Sequence, residues 1–290
     1  MYEGNKLNEI VSRGRDAFSA LVEKARPYSE KILALPNDSF QKTVVVALAL
    51  CIVCAILVSG SAVALKSIQQ NNKSLDMKKN ILSVVGLLED DTDIDAVFKT
   101  VEQKLVDLKT GEYVNSIDSA TYDQRKAAKD PSTNIDIVPA DDLASIRKRA
   151  KYTKVYLLKD GNNIKAIVLP VHGYGLWSTM YGFLALEADA QTVIGLNFYD
   201  QAETPGLGGE VVNPNWRALW KGKKVYDESG SPVLKLVKGV VEPNKPGSEY
   251  QVDGLAGATL TSNGVSNLLQ YWLGDQGFAL YLEKIRSNRG

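Results

Sequence analysis

Near its C-terminal end the chain reads Asp253-Gly254-Leu255-Ala256-Gly257-Ala258-Thr259, then Leu260-Thr261-Ser262-Asn263-Gly264. A hydroxyl residue follows Gly-Ala on a loop of small residues, and an apolar run at helical spacing comes after it (Val265, Leu268, Leu269, Trp272). Glycines let the loop turn tightly, and the start of a helix aims its backbone N–H groups at whatever lies in front. The pattern exposes Thr259 and makes its surroundings electropositive, so a phosphate joined to that hydroxyl is electrostatically favoured. The same residues also fit a plain glycine turn, with Asp253 as an Asx-turn residue and Thr261 and Ser262 as helix caps. A second loop, Glu203-Thr204-Pro205-Gly206-Leu207-Gly208-Gly209, carries glycines that let backbone pass close to a planar ligand. It has neither the spacing nor the strand-helix-strand context of a dinucleotide fingerprint, which argues against NAD binding there. His172 is the one histidine. A single histidine builds no metal site without further ligands, and no metal-ligand cluster stands out. It also supplies a poor base for a threonine nucleophile, which weakens a hydrolase reading of Thr259.

Strands must position these loops. Val155-Tyr156-Leu157-Leu158, the turn Asp160-Gly161-Asn162-Asn163 and Ile164 to Leu169 predict a hairpin. Phe183 to Glu187 and Val193 to Phe198 predict a second pair, and Lys223 to Tyr226 with Val233 to Val237 a third. Tight turns between strands imply a mostly antiparallel sheet with helices on its faces, an α+β fold. Upstream, Asn80 to Leu88, Ile94 to Leu108 and Ala140 to Tyr152 carry helical spacing, and Gly111 to Asp118 is extended.

Thr43 to Leu65 holds no charged residue. At about 1.5 Å per residue it spans a hydrocarbon core of about 30 Å, which predicts one transmembrane helix in a lipid bilayer. Lysines and arginines balance across its ends (Lys24, Arg26, Lys31, Lys42 against Lys66, Lys73, Lys78, Lys79), so charge gives no orientation. Cys51 and Cys54 lie inside this run, where a thiol has no partner to lower its pKa, and read as filler. Residues 1–42 form an extension in which Leu7, Ile10, Val11, Phe18, Leu21 and Val22 recur at helical spacing, either an amphipathic helix or a solvated tail. Residues 66–150 read as stalk and helical subdomain, and 151–290 as the ligand-binding domain. With 34 basic and 34 acidic side chains, no basic field exists to hold nucleic acid.

The Asp253–Thr259 segment resembles the flavinylation motif Asp-x-x-Ser/Thr-Gly-Ala-Thr. Ala256 stands where Ser or Thr is usual, which removes a hydroxyl there and leaves the acceptor oxygen in place. Pro170-Val171-His172-Gly173-Tyr174-Gly175-Leu176-Trp177, the Glu203–Glu210 loop and Tyr122-Asp123-Gln124-Arg125-Lys126-Ala127-Ala128-Lys129 add to it. From near Lys42 to past Phe278, the chain resembles the C subunits of the sodium-translocating NADH:quinone oxidoreductase. The resemblance implies FMN joined through its phosphate to Thr259 by a separate flavin transferase, with Asp253 in the modification motif. It places Thr204, Gly206, Leu207, Gly208, Gly257, Ala258, Thr261 and Ser262 in the flavin pocket, with Trp177 as a stacking partner or plain core. Lys238 matches a position near the cofactor, facing the phosphate or reduced flavin, or else solvent. The implied setting is an electron carrier among the other subunits of a redox complex in the bacterial inner membrane, single-pass, with its C-terminal domain periplasmic. The alternatives are a G subunit of the related Rnf complexes carrying the same covalent FMN, and a cofactor-free membrane-tethered assembly module.

Overall fold

The structure, a computed structural model, describes residues 23, 26–28, 30–32, 34–89 and 91–287. The expected amphipathic pattern from Leu7 to Val22 lies outside them. The chain divides into two compact units, Met1–Asn71 and Asn72–Gly290.

Helix α1 runs from Phe40 to Val84. Ser39 accepts the Lys42 N–H through its hydroxyl, the usual bond of an N-capping serine. An 18-residue window is apolar enough to cross a membrane and is not buried within the protein. The helix continues through Lys66–Lys79 and absorbs the separate helix expected from Asn80, because no glycine or proline interrupts that stretch. It stops at Gly86, whose φ of 75° allows the Gly86 N–H to reach Ser83 O and the Leu87 N–H to reach Leu82 O. That pair of bonds satisfies the last carbonyls of the helix.

In the second unit, α2 (Ile94–Phe98), β1 (Val101–Asp107), β2 (Glu112–Tyr113), α3 (Gln124–Ala127), β3 (Asn134–Asp136) and β4 (Lys148–Ala150) come first. The long strands β5 (Tyr152–Asp160), β6 (Asn163–Tyr174), β7 (Thr179–Glu187) and β8 (Val193–Asp200) follow. Then come α4 (Pro214–Ala218), β9 (Lys235–Val237), β10 (Gln251–Asp253), α5 (Thr259–Leu273) and α6 (Ala279–Ser287). The main sheet has six strands in the order β2-β1-β5-β6-β7-β8, all antiparallel. Both expected long hairpins form.

Three local expectations fail. Ile94 to Leu108 is helical only to Phe98; β1 then pairs along its length with β5, from Val101 opposite Leu158 to Asp107 opposite Tyr152. β1 and β2, from the stretch that reads as stalk and helical subdomain, thus share a sheet with β5 to β8. Ala140 to Tyr152 is not a helix. The Asp142 carboxylate takes the N–H groups of Ile146 and Arg147, while Ser145 and Arg147 adopt positive φ, so side-chain bonds replace helical ones. Lys223 to Tyr226 makes only isolated bridges, and β9 pairs with β10 in parallel instead.

The sheet is covered on both faces. Val265, Leu268, Leu269 and Trp272 of α5 pack with Leu169, Leu184 and Leu196 on one. Ile81, Leu82 and Val84 pack with Tyr156, Val168 and Phe183 on the other. Two-sided burial explains the unbroken apolar run Ala166–Leu169.

Candidate functional site

The site starts where β10 ends. Asp253 fixes the crossing beside it: its Oδ1 accepts the Val241 N–H (2.8 Å), and its carbonyl accepts the Trp216 indole N–H (3.0 Å). The Gly254 N–H bonds Gly239 O, and a side chain on Gly254 would run into the Val237 carbonyl, so only glycine fits there. Lys238, exposed, sits on the segment pinned by these contacts. Gly257 then turns with φ of 70°, and α5 begins at Thr259. Its N-cap is Ala258, which offers no side-chain acceptor, so the first N–H groups of α5 keep their positive end uncapped.

The hydroxyls of that first turn divide their tasks. Ser262 accepts the Leu255 N–H (3.0 Å), closing the loop. Thr261 donates to Glu203 Oε2 (2.7 Å). Both are buried. Thr259 is exposed, and its hydroxyl makes no hydrogen bond among the described residues. The two hydroxyls expected near a phosphate are thus committed to the scaffold, while the expected acceptor is free.

Glu203 is the residue that sequence reasoning missed. It is only 5% exposed. Its carboxylate accepts the backbone N–H groups of Leu176, Trp177 and Ser178 at 2.9–3.2 Å in addition to the Thr261 hydroxyl. One side chain therefore ties the Trp177 loop and the Glu203–Gly209 loop to the first turn of α5. Burial pushes its pKa up, but the Thr261 hydroxyl and the N–H groups of Trp177, Leu176 and Ser178 outweigh this and hold it below the ordinary carboxylate value. Gly175 and Gly208 leave room for it: a Cβ on Gly175 would stand 2.6 Å from Oε1, and one on Gly208 2.9 Å from Oε2. The loop motif includes this carboxylate, but nothing local shows its role, because its partners lie far away in sequence.

The remaining pocket candidates gather around this clamp. Thr204 O accepts the N–H groups of Leu207 and Gly209, and Gly206 turns with φ of 75°. Leu207 leans on Gly257, 3.0 Å from where a Cβ would sit, yet stays 44% exposed. Trp177 is 64% exposed, which settles it as surface rather than core. Arg125, from the Tyr122–Lys129 run, pins the end of β8 from which the glycine loop departs. Its guanidinium lies 3.4 Å from the Tyr181 ring centroid and pairs with Asp200 at 2.8 Å. His172 stacks on Tyr181 and packs on Trp272, and burial, then the Arg125 charge, pulls its pKa down to about 4. It is neutral at physiological pH and stands in the aromatic packing as a structural residue.

The FMN-binding domain family matches residues 175–274, from the Trp177 loop to just past α5. The Na(+)-translocating NADH-quinone reductase C subunit of Pseudomonas aeruginosa is 47% identical over 254 residues, covering 86% of this chain and 97% of the relative. The corresponding protein of Vibrio anguillarum is 48% identical over 254 residues, covering 88% and 98%. Among solved structures, Shewanella oneidensis NqrC superposes with a TM-score of 0.69 at 32% identity, covering 74% of this chain and 99% of that one. The C subunit from Parabacteroides distasonis gives 0.58 at 27% identity, covering 75% and 96%.

Proposed function

The chain belongs to the family of C subunits of the Na(+)-translocating NADH-quinone reductase, and from that premise we propose that its FMN is held by a phosphoester to Thr259. Membership makes it a membrane-associated electron-transfer subunit of that translocase, with FMN as its cofactor. The Rnf-type and cofactor-free alternatives find no support.

One observation carries the attachment site. Of the hydroxyls on the first turn of α5, Thr261 and Ser262 are bonded inward and Thr259 is exposed at an uncapped helix start. The residues fit the group. The helix N-terminus favours the phosphate charge. Exposed Leu207 and Trp177 offer apolar surface for the ring, and Thr204, Gly206 and Gly208 bring backbone close to it. Lys238 supplies a positive charge on the segment beside Gly254, and Gly257 and Ala258 keep bulk away from the acceptor. Thr259 Oγ would hold the flavin phosphate as an ester, the new O–P bond replacing a P–O bond of the flavin donor, whose other half leaves carrying the hydroxyl proton. Asp253 shapes the loop the transferase recognises. FMN supplies reversible electron uptake, and the protein supplies retention, orientation and exclusion of competing contacts.

We place residues 43–65 across the inner membrane as a single span, residues 1–42 on the cytoplasmic side, and the flavin domain on the periplasmic side, where a tethered cofactor resists loss. The apolar, unburied window of α1 supports the span. The domain makes electron contacts with other subunits of the complex and is matured by a flavin transferase.

The test is intact mass and peptide mapping of full-length protein co-expressed with the transferase. Wild type carries a flavin phosphate adduct on the peptide containing Thr259, Thr259→Ser keeps it, and Thr259→Ala lacks it. A denaturation-resistant adduct in Thr259→Ala refutes the assignment.

A further inference from the structure

Away from the flavin loops, a cleft of about 500 Å³ opens between the end of α1, β8 and α4. Val84, Val85, Ile194 and Leu196 share its walls with polar and backbone groups in nearly equal part, and its charged lining residues are Arg217 and Lys221. Arg217 is the telling one. Its guanidinium makes a single hydrogen bond, to Ser83 Oγ at 3.2 Å, and its Nε is fully shielded from solvent with no partner. Burial lowers its pKa, with no carboxylate offsetting the cost. The end of α1 does not require this charge, since Gly86 and Leu87 already satisfy its last carbonyls. Glu210 and Asp227, the described acids nearest along the chain to these cations, are engaged elsewhere: Glu210 accepts from Asn213, and Asp227 accepts from Ser229 and Ser231.

A guanidinium fork left short of acceptors, walled in part by aliphatic side chains, has the chemistry of an interface anchor. The chain belongs to a multisubunit membrane complex, and the charge of the cleft selects its occupant. We propose that this cleft receives an acidic side chain, Asp or Glu, from a neighbouring subunit, with Arg217 as the paired anchor and Lys221 as the rim charge. The carboxylate pairs with Nη1, the guanidinium nitrogen that has no acceptor and is open to solvent, and the docked partner itself closes the cleft over the pair. The cleft is built from residues other than those of the flavin site, so flavin attachment and docking are separable.

The assembled complex, purified from membranes carrying full-length variants, tests this. With Arg217→Glu and Arg217→Met, the chain dissociates on size-exclusion chromatography at least roughly thirty-fold faster than wild type, as expected for loss of one partner of a buried charge pair. Both variants retain the flavin adduct and a near-wild-type melting temperature as isolated chains. Lys221→Glu, at an exposed position, weakens retention several-fold and covers the case in which Arg217 variants fold poorly. In the Arg217→Glu background, Lys substitution of one acidic residue on a neighbouring subunit restores retention. Folded Arg217→Glu and Arg217→Met chains that stay in the complex at wild-type rate overturn the proposal. So does inorganic phosphate that raises the melting temperature of isolated wild type but not Arg217→Met while assembly is unaffected, because the site then takes a free anion.

Discussion

Replacing Glu203 probes the clamp most directly. Its carboxylate serves the N–H groups of Leu176, Trp177 and Ser178 and the Thr261 hydroxyl, all in a buried setting. Hydrogen bonds to a charged group are worth about 1.5–3 kcal/mol each, but donors sharing two oxygens are not additive. Glu203→Ala leaves those donors without their acceptor and should cost roughly 3–5 kcal/mol. Glu203→Gln keeps one oxygen for the backbone donors and turns its amide N–H toward Thr261 Oγ1, so the cost falls to about 1–2 kcal/mol. The sign of the pH effect follows from the depressed pKa of Glu203. Its contribution is complete above the ordinary carboxylate pKa and is lost as pH falls through its own lower value. The stability gap between wild type and Glu203→Gln therefore closes in acid, whereas a gap due to packing alone would not. The assay is unfolding of the full chain in detergent, followed by Trp fluorescence and scored with flavin occupancy by mass. Wild-type stability and occupancy in Glu203→Ala, or a gap that ignores pH, would refute the clamp.

His172 has a folded pKa of about 4 against 6.5 for the free side chain, so the unfolded chain takes up its proton first as pH drops. Stability is complete above the higher value and declines toward the lower one, by at most about 3 kcal/mol, and an NMR titration of the imidazole should show no midpoint above about pH 5. A midpoint near the free value would mean that the ring reaches solvent. Gly257→Ala places a Cβ at φ of 70° and 3.0 Å from Leu207 Cδ2, a strain of about 1–2 kcal/mol. Gly254→Ala drives a Cβ into the Val237 carbonyl, which is backbone and yields less. Melting temperatures should fall from wild type to Gly257→Ala to Gly254→Ala, with flavin occupancy following, and the reverse order would contradict the loop geometry.

What could be read from sequence was what local chemistry decides. The hairpin at Asp160–Asn163 and the pair around Asp189 form because turn and strands are contiguous and their residues agree. The small-residue loop before Thr259 was legible for the same reason: the glycine that must turn, the exposed hydroxyl and the helix that follows lie within one short stretch. Failures occur where a distant partner overrides local preference. Val101–Asp107 has spacing compatible with a helix, but β5, some fifty residues on, supplies a full antiparallel ladder. β9 could not be matched to β10 from sequence, because parallel strands share no tight turn.

Glu203 is the sharpest case. Beside Thr204 and Pro205 it looks like one more solvated acid at a loop, and every group that gives it a role comes from elsewhere in the chain. The separation has a physical basis. On the proposed attachment at Thr259, the acceptor hydroxyl must remain free for a second enzyme to reach, so its chemistry would be carried by exposed, locally encoded residues. The seat around it must be fixed before the cofactor arrives, and rigidity of that kind comes from buried groups whose partners the fold alone brings together. On that proposed reading, a loop that kept Thr259 but lacked Glu203 would present a threonine to the transferase with nothing beneath it to hold the Trp177 loop in place.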